Sequence, residues 1–247
     1  MNVPEQAANN TRYDRYPEIF RTARLAAGLE PLRILSFGCS TGEEPKTLAE
    51  KYFTGSQIFG VDVSQDVLEK ARALTEHLPN VTIARSETDA IADFGPYDAI
   101  FAMSVLCRNP APKDHDWTDF PFARFESRVA ELTAQLKTGG IFVLVNSNYN
   151  LTQSRLIRFY DLVVSREVEA PQQVWKLAPD GSKLEKPGGG MLAHRTATDC
   201  IFRKRPDPWP DGASIPLRIV RPDGAEFVTI WLSCVNLPPP CGEVEIS

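Results

Sequence analysis

Short apolar runs alternate with segments of helical spacing along most of the chain. A run of four to eight apolar residues is typical of a buried strand, and apolar residues three and four apart are typical of an amphipathic helix. The pattern predicts strands over residues 33–37, 58–63, 81–84, 97–106 and 141–145, and helices over residues 13–28, 64–75, 122–136 and 151–166. The glycine pair at residues 139–140 is predicted to stop the helix before it. Such alternation is typical of an open parallel sheet covered by helices.

The pattern changes in the C-terminal part, from residue 168 onwards, where turn signals separate short apolar runs. A Pro-Asp-Gly turn at residues 222–224 predicts a β-hairpin between residues 217–220 and residues 227–232. Residues 200–202 form a further predicted strand. This part of the chain is therefore expected to be rich in β-structure.

Residues 33–63 have the layout of a strand, a glycine turn, a helix and a second strand. The turn contains Gly38 and Gly42, whose missing side chains allow the backbone to turn sharply and a ligand to approach it. Asp62 ends the second strand about twenty residues further on, where an acid takes both hydroxyls of a ribose in βαβ nucleotide-binding units. The layout predicts a binding site for a nucleotide-type ligand.

The residues around the turn narrow the choice of ligand. Ser40 and Thr41 are candidates to cap the following helix, and Pro45 suits its first turn because proline carries no N–H group. The N–H groups at the helix start favour a carboxylate or a phosphate. The dinucleotide pattern Gly-x-Gly-x-x-Gly is not present, since Ser40 stands where the middle glycine would be, and no Gly-Lys-Ser/Thr phosphate loop follows.

The octapeptide at residues 38–45, Gly-Cys-Ser-Thr-Gly-Glu-Glu-Pro, resembles the cofactor loop of class I S-adenosyl-L-methionine-dependent methyltransferases. It is closest to the loop of the chemotaxis-receptor glutamate methyltransferases. Residues 97–106 are similar to the fourth-strand motif of the same superfamily, and the resemblance covers residues 33–148. It implies a transferase that uses S-adenosylmethionine as its cofactor.

The resemblance also implies a fold and a set of site residues. The fold is α/β, with a Rossmann-like, mostly parallel seven-stranded sheet, helices on both faces and a β-rich C-terminal elaboration. Residues 1–30 would be an N-terminal helical segment, residues 31–167 the S-adenosylmethionine-binding core, and residues 168–247 C-terminal strands with a substrate-binding elaboration. An acid after the third strand is expected to receive the adenine amino group, with Glu87 the candidate and Asp89 its rival. The implied cofactor-binding residues are Gly38, Cys39, Ser40, Thr41, Gly42, Asp62, Val63, Glu87 and Met103.

The chain departs from the superfamily pattern at one position. Many members have an acid two residues before the first glycine, where this chain has Ser36, and Glu43 is a candidate to replace it near the ammonium group of the cofactor. The chemotaxis enzymes also carry a basic N-terminal helical domain, whereas roughly thirty residues without a basic run precede the loop here. We therefore expect a small-molecule acceptor, methylated on oxygen, nitrogen or carbon.

Further candidate residues lie past the fourth and fifth strands, where ligands bind in open α/β sheets. His115, between two aspartates, is a candidate general base or substrate-orienting residue, with an ordinary surface histidine as the alternative. Tyr149 is a candidate for the substrate pocket, with a packing role as the alternative. No catalytic residue is assigned, because transfer of an activated methyl group requires mainly a well-positioned acceptor.

Charge and cysteine usage bound the partners of the protein. The formal net charge of −5 argues against binding to nucleic acid or to an anionic membrane. The N-terminal residues contain no apolar signal region, and no apolar run is long enough to cross a bilayer. The five cysteines are scattered without a Cys-x-x-Cys pair, so we expect no metal site. We expect instead that they are reduced thiols in a cytoplasmic protein.

Three other functions are compatible with a loop of this kind. An S-adenosylmethionine-binding regulatory or scaffold protein would have the same loop without catalysis, and a protein carboxylate methyltransferase would take a protein acceptor. A nicotinamide oxidoreductase is the third, and the glycine spacing argues against it. Transfer of labelled methyl groups would separate an enzyme from a scaffold, and calorimetry with both cofactors would exclude the oxidoreductase.

Overall fold

The computed structural model describes residues 11–28, 31–107, 120–163, 176–182 and 200–210, and the backbone alone of residues 88–89, 215–220 and 226–232. The strands are β1 Arg33–Phe37, β2 Gln57–Asp62, β3 Val81–Arg85, β4 Tyr97–Met103, β5 Leu136–Val145, β6 Tyr160–Val163, β7 Ile201–Lys204, β8 Ile215–Val220 and β9 Glu226–Leu232. The helices are α1 Pro17–Ala27, α2 Glu43–Thr47, α3 Gln65–Thr75, α4 Thr88–Phe94 and α5 Phe122–Gln135. A π-helical turn, Leu48–Tyr52, continues α2, and two 3₁₀ helices, Leu151–Gln153 and Arg155–Phe159, precede β6.

All nine described strands form one sheet in the order β3-β2-β1-β4-β5-β7-β6-β8-β9. The first five strands of this order are parallel, and β7 lies antiparallel between β5 and β6. The strand order reverses between β1 and β4, which is where an open α/β sheet leaves a crevice at the carboxyl ends of its strands. The predicted Rossmann-like fold with seven strands, β3 to β6 in sheet order, is confirmed. The predicted hairpin is β8–β9, which extends the sheet from the edge of β6.

Helices cover both faces of the sheet, because successive side chains of the buried strands point to opposite sides. On one face, Phe101 of β4 lies 5.8 Å from Phe20 of α1, measured between ring centroids. On the other face, Leu35 and Phe142 belong to a buried cluster that includes Phe125 of α5. The continuous apolar runs of the central strands are thus explained by burial on both sides.

The prediction of a helix over residues 151–166 is wrong for residues 151–163, and residues 164–166 lie outside the described residues. The chain here forms the two 3₁₀ helices and then β6, which pairs antiparallel with β7 and parallel with β8. Its partners lie some forty or more residues further along the chain, and packing against such partners overrides local spacing. Periodicity alone could not reveal this pairing.

The prediction that the glycine pair at residues 139–140 stops the preceding helix is also wrong. Helix α5 ends at Gln135, and the next residue already begins β5. Gly139 has a φ of +81°, and a Cβ atom on Gly140 would lie 3.0 Å from the carbonyl oxygen of Asp98 in β4. The two glycines therefore permit an irregular start of β5 close to its neighbour.

Within the part of the chain that the structure describes, no helix is long and apolar enough to cross a membrane.

Candidate functional site

The glycine turn follows β1 and is fastened to the end of β2. The N–H groups of Gly38 and Cys39 both donate to the carbonyl oxygen of Val61, at 2.8 and 2.9 Å. Gly38, Ser40 and Gly42 have φ angles of +75°, +50° and +96°. Three left-handed residues within five positions fold the turn back on itself at the carboxyl edge of the sheet.

The two glycines are required by packing against protein atoms. A Cβ atom on Gly38 would lie 2.4 Å from Cγ2 of Val105, and one on Gly42 would lie 2.9 Å from the Cα atom of Ala71 in α3. The expectation that their missing side chains leave room for a ligand is therefore corrected. The space is filled by the segment after β4 and by α3, which fix the position of the turn.

The predicted capping of α2 by Ser40 and Thr41 is wrong. The N-cap residue is Gly42, which makes no side-chain capping bond, and the Thr41 hydroxyl donates to Oε2 of Glu43 at 2.7 Å. Pro45 lies in the first turn of α2, as predicted. Among the described residues, Ser40 Oγ is one of a few buried polar atoms without a hydrogen-bond partner.

Asp62 closes the turn onto β2. Its Oδ2 accepts a bond from the Ser40 N–H group and its Oδ1 one from the Ser64 N–H group, both at 3.0 Å. Only 3% of the Asp62 surface is exposed. Burial, with the nearby charges of Asp62 and Glu44, raises the pKa of the Cys39 thiol. The structure thus brings the predicted acid into direct contact with the predicted loop.

A second carboxylate, that of Glu44, lies beside the strand that leads into the turn. The Ser36 hydroxyl donates to Oε1 of Glu44 at 2.7 Å, whereas the carboxylate of Glu43 accepts from Thr41. Burial raises the pKa of Glu44 to about 7, against the lowering effects of the Ser36 hydrogen bond and the Arg15 charge. Because Ser36 and Glu44 are eight positions apart, only the fold of the turn shows that they meet.

Three polar side chains meet at the carboxyl ends of β4 and β5. The Asn146 amide nitrogen donates to the Tyr16 hydroxyl at 2.8 Å and to the Ser104 hydroxyl at 3.1 Å. The two hydroxyl oxygens lie 3.4 Å apart. Tyr16, just before α1, is buried, as is Asn146, whereas Ser104 is partly exposed. Sequence reasoning missed this cluster because its members are far apart in the chain.

The methyltransferase domain family model matches residues 35–119. A methyltransferase of Pseudomonas putida named for biofilm formation is 41% identical over 84 residues, which are 28% of this chain and 18% of that protein. The trans-aconitate 2-methyltransferase of Azoarcus is 29% identical over 126 residues, or 51% of this chain and 43% of that protein. A solved S-adenosylmethionine-dependent methyltransferase of Clostridium acetobutylicum is 16% identical, with a TM-score of 0.42, over 65% of this chain and 60% of that one.

Residues 35–119 therefore form a methyltransferase domain. The resemblance noted in the sequence is confirmed. The chain spans less than half the length of either curated relative.

Other predicted site residues of the methyltransferase domain lie at neighbouring strand ends. Val63 directly follows Asp62 and is half-buried. Met103 ends β4 and packs in the cluster beneath α1. Glu87 is exposed after β3, with its carboxylate 3.6 Å from Nε of Arg85. The side chain of Asp89, and all of residues 108–119 with His115, lie outside the described residues.

Tyr149 has the packing role that was its alternative assignment. It is buried, its hydroxyl donates to the carbonyl oxygen of Phe120 at 3.0 Å, and its ring lies 5.2 Å from that of Phe122. Residues 176–182 reach the same strand end, because the Leu177 N–H group donates to the carbonyl oxygen of Asn148 at 2.8 Å. A part of the C-terminal third therefore lies at the edge of the methyltransferase domain where the polar cluster is.

Proposed function

We propose that this protein is an S-adenosylmethionine-dependent methyltransferase that acts on a small-molecule acceptor. The observation that carries the proposal is the contact of Asp62 with the glycine turn, next to the buried Ser40 hydroxyl without a partner. When bound, S-adenosylmethionine supplies a methyl group that is already activated by the positive sulfur.

The residues present fit this cofactor. A buried hydroxyl without a partner is unfavourable, and a polar ligand in the turn would relieve that cost for Ser40. The Asp62 carboxylate is of the type that accepts hydrogen bonds from ribose hydroxyls. The proposed cofactor-binding residues remain those of the turn, from Gly38 to Gly42, and Asp62, Val63, Glu87 and Met103.

We assign the ammonium contact to Glu44. The Ser36 hydroxyl orients its carboxylate at 2.7 Å, and Glu43 is instead bonded to Thr41. An ammonium group nearby would favour the ionised form of Glu44, which burial otherwise disfavours. Ser36 and Glu44 together would thus do the work of the acid that many superfamily members carry.

Support for a small-molecule acceptor comes from one relative and from the surroundings of the turn. The Azoarcus relative is named for trans-aconitate, a small organic acid. Two features lie at the carboxyl ends of β4 and β5: the polar cluster of Tyr16, Ser104 and Asn146, and the segment over residues 176–182. We therefore keep the proposal that residues 31–167 bind the cofactor and that residues 168–247 supply C-terminal strands and a substrate-binding elaboration.

Calorimetric titration with S-adenosylhomocysteine tests the cofactor assignment. Asp62→Ala should weaken binding by ~1–3 kcal/mol, because ribose hydroxyls would lose an acceptor and the Ser40 N–H group its partner. Asp66→Ala, an exposed acid in α3, is the matched control and should bind like the wild type. Equal affinity of the Asp62 variant and the wild type would remove Asp62 from the site.

Catalysis is tested separately from binding. Purified protein with radiolabelled S-adenosylmethionine should transfer the label to small molecules of a cell extract, and the Asp62 variant should transfer far less. Binding of S-adenosylhomocysteine without any labelled product would instead support a regulatory protein. Label found on proteins alone would contradict the small-molecule acceptor.

A further inference from the structure

The cluster of Tyr16, Ser104 and Asn146 is built on a strained backbone. Ser104 and Asn146 have φ angles of +59° and +54°, in the left-handed region that disfavours residues with a Cβ atom. Backbone strain of this kind costs on the order of 1 kcal/mol per residue and is concentrated at functional sites. With these backbone angles, both side chains contact Tyr16 at the ends of the adjacent parallel strands β4 and β5.

The number of hydroxyl protons shows which residue of the cluster keeps a free hydrogen-bond donor. The amide nitrogen of Asn146 can only donate, and it donates to both hydroxyl oxygens. The hydroxyls of Tyr16 and Ser104 carry one proton each, and the single contact between them, at 3.4 Å, uses one of the two. The second proton has no acceptor among the described residues. Ser104 is the more exposed of the two, so the remaining O–H group is that of Ser104.

The remaining donor lies beside the glycine turn. Ser104 is followed by Val105, whose Cγ2 is the atom nearest to a Cβ placed on Gly38. A group bonded to the Ser104 hydroxyl would therefore lie next to the proposed cofactor site. Tyr16 and Asn146 are both buried and contact the Ser104 hydroxyl.

We propose that the Ser104 hydroxyl donates a hydrogen bond to a carboxylate oxygen of the methyl acceptor, with Tyr16 and Asn146 as positioning residues that hold it. This inference rests on the proposed function. An O–H donor selects an oxygen that accepts, and its bond to an ionised oxygen is about twice as strong as one to a neutral oxygen. A carboxylate also has no proton to lose, so a cluster of neutral hydroxyl and amide groups suffices to hold it without a base.

The test is a calorimetric titration of three carboxylates, acetate, benzoate and trans-aconitate, into protein saturated with S-adenosylhomocysteine. Ser104→Gly removes the hydroxyl and suits the left-handed backbone. Tyr16→Phe removes the hydroxyl of a positioning residue. The matched controls are Ser127→Ala, on the exposed side of α5, and Tyr13→Phe, a tyrosine that is 45% exposed.

We expect the wild type and both controls to bind at least one of the three acids. Ser104→Gly should weaken that binding about tenfold and Tyr16→Phe about threefold, with the affinity for S-adenosylhomocysteine unchanged. A merely structural role of Tyr16 would lower both affinities together. That outcome would overturn its assignment as a positioning residue.

Failure of the two proposals can be told apart in the same titrations. If S-adenosylhomocysteine does not bind, the proposed function and this inference are both overturned. If it binds and no acid does, or if the Ser104 variant binds the acids as the wild type does, this inference alone is overturned.

Discussion

Single residues with unusual backbone angles mark the carboxyl edge of the sheet. Ser40, Ser104 and Asn146 are three of the four described residues other than glycine that have a positive φ. They follow β1 and β4, the strands on either side of the crevice, and β5, the neighbour of β4. Each presents a short polar side chain there. Strain, polarity and position in the fold therefore coincide at the same place.

The Glu44 carboxyl should make stability depend on pH. Its pKa in the folded protein, raised by burial from 4.5 to about 7, lies above that in the unfolded chain. The unfolded chain therefore releases its proton first as the pH rises, and the free energy of unfolding falls between these two values. We expect the free energy of unfolding to fall by about 2 kcal/mol, which is less than the full pKa shift implies, because Glu44 is only partly buried.

Glu44→Gln, which stays neutral, should remove this dependence. Urea unfolding at about pH 5 and about pH 8 gives the change in stability with pH for the wild type and for the variant. The difference between the two changes is due to Glu44, because the other titrating groups are the same in both proteins. A wild type that loses no more stability than the variant over this interval would contradict the assignment.

Gly38→Ala should destabilise the protein by about 2 kcal/mol or more, because the new Cβ atom meets Val105 and the φ of +75° disfavours a side chain. Urea unfolding measures this loss. Adding Val105→Ala should recover the part due to contact and leave the part due to the backbone angle. If Gly38→Ala unfolds at the same urea concentration as the wild type, the turn is packed differently.

Among the elements, the segment before α1 connects α2 and the π-helical turn after it to the polar cluster. Asp14 accepts bonds from Lys51 and from the Tyr52 hydroxyl, and its N–H group donates to Oγ1 of Thr47 at 2.9 Å. Two positions further on, Tyr16 reaches Asn146 at the end of β5. The π-helical turn after α2 brings Lys51 and Tyr52 to Asp14, in line with the frequent occurrence of such turns at functional sites.

Asp14→Asn should loosen this segment without unfolding the domain. The change removes the charge that Lys51 contacts and keeps a residue type that tolerates the left-handed angle of Asp14. We expect amide hydrogen exchange over residues 13–20 to become about fivefold faster, and exchange in the central strands to stay the same. Glu18→Ala, which breaks an exposed ion pair with Arg21 in α1, is the control. Unchanged exchange in the Asn variant would show that Asp14 does not hold the segment.

For the molecule as a whole, the C-terminal part is built into the sheet. Strand β7 lies between β5 and β6 and pairs with both, whereas, among the described strands, β8 joins the sheet along the edge of β6 and β9 pairs with β8. Leu162 and Phe202 of these inner strands are almost fully buried. The proposed boundary between residues 167 and 168 therefore lies within one continuous sheet.

Two truncations test this arrangement. A chain that ends at residue 199 lacks β7 and should not unfold cooperatively in urea, because β5 and β6 lose their shared partner and the core loses buried apolar side chains. A chain that ends at residue 210 keeps β7 and should retain a cooperative transition. Cooperative unfolding of the shorter chain with the stability of the longer one would contradict the role of β7.

Most of the α/β core was predictable from the sequence. Periodicity and turn chemistry, which act over a few residues, predict strands β1 to β5 and helices α1, α3 and α5. They also predict that Asp62 lies near the glycine turn. The same signals were misleading for residues 151–163, where pairing with later strands decides the conformation. They also could not distinguish Glu43 from Glu44, because the choice depends on how the turn places Ser36.

The sequence by itself determined that a glycine turn and an acid at the end of the next strand lie together, since both signals are local and the strand–turn–helix layout brings them into contact. The tertiary structure alone decided which atoms the glycines must avoid, which glutamate meets Ser36, and that Tyr16, Ser104 and Asn146 form one cluster. These contacts join residues from 8 to 130 positions apart. No short-range pattern encodes them, because they exist only when the sheet and its covering helices have packed.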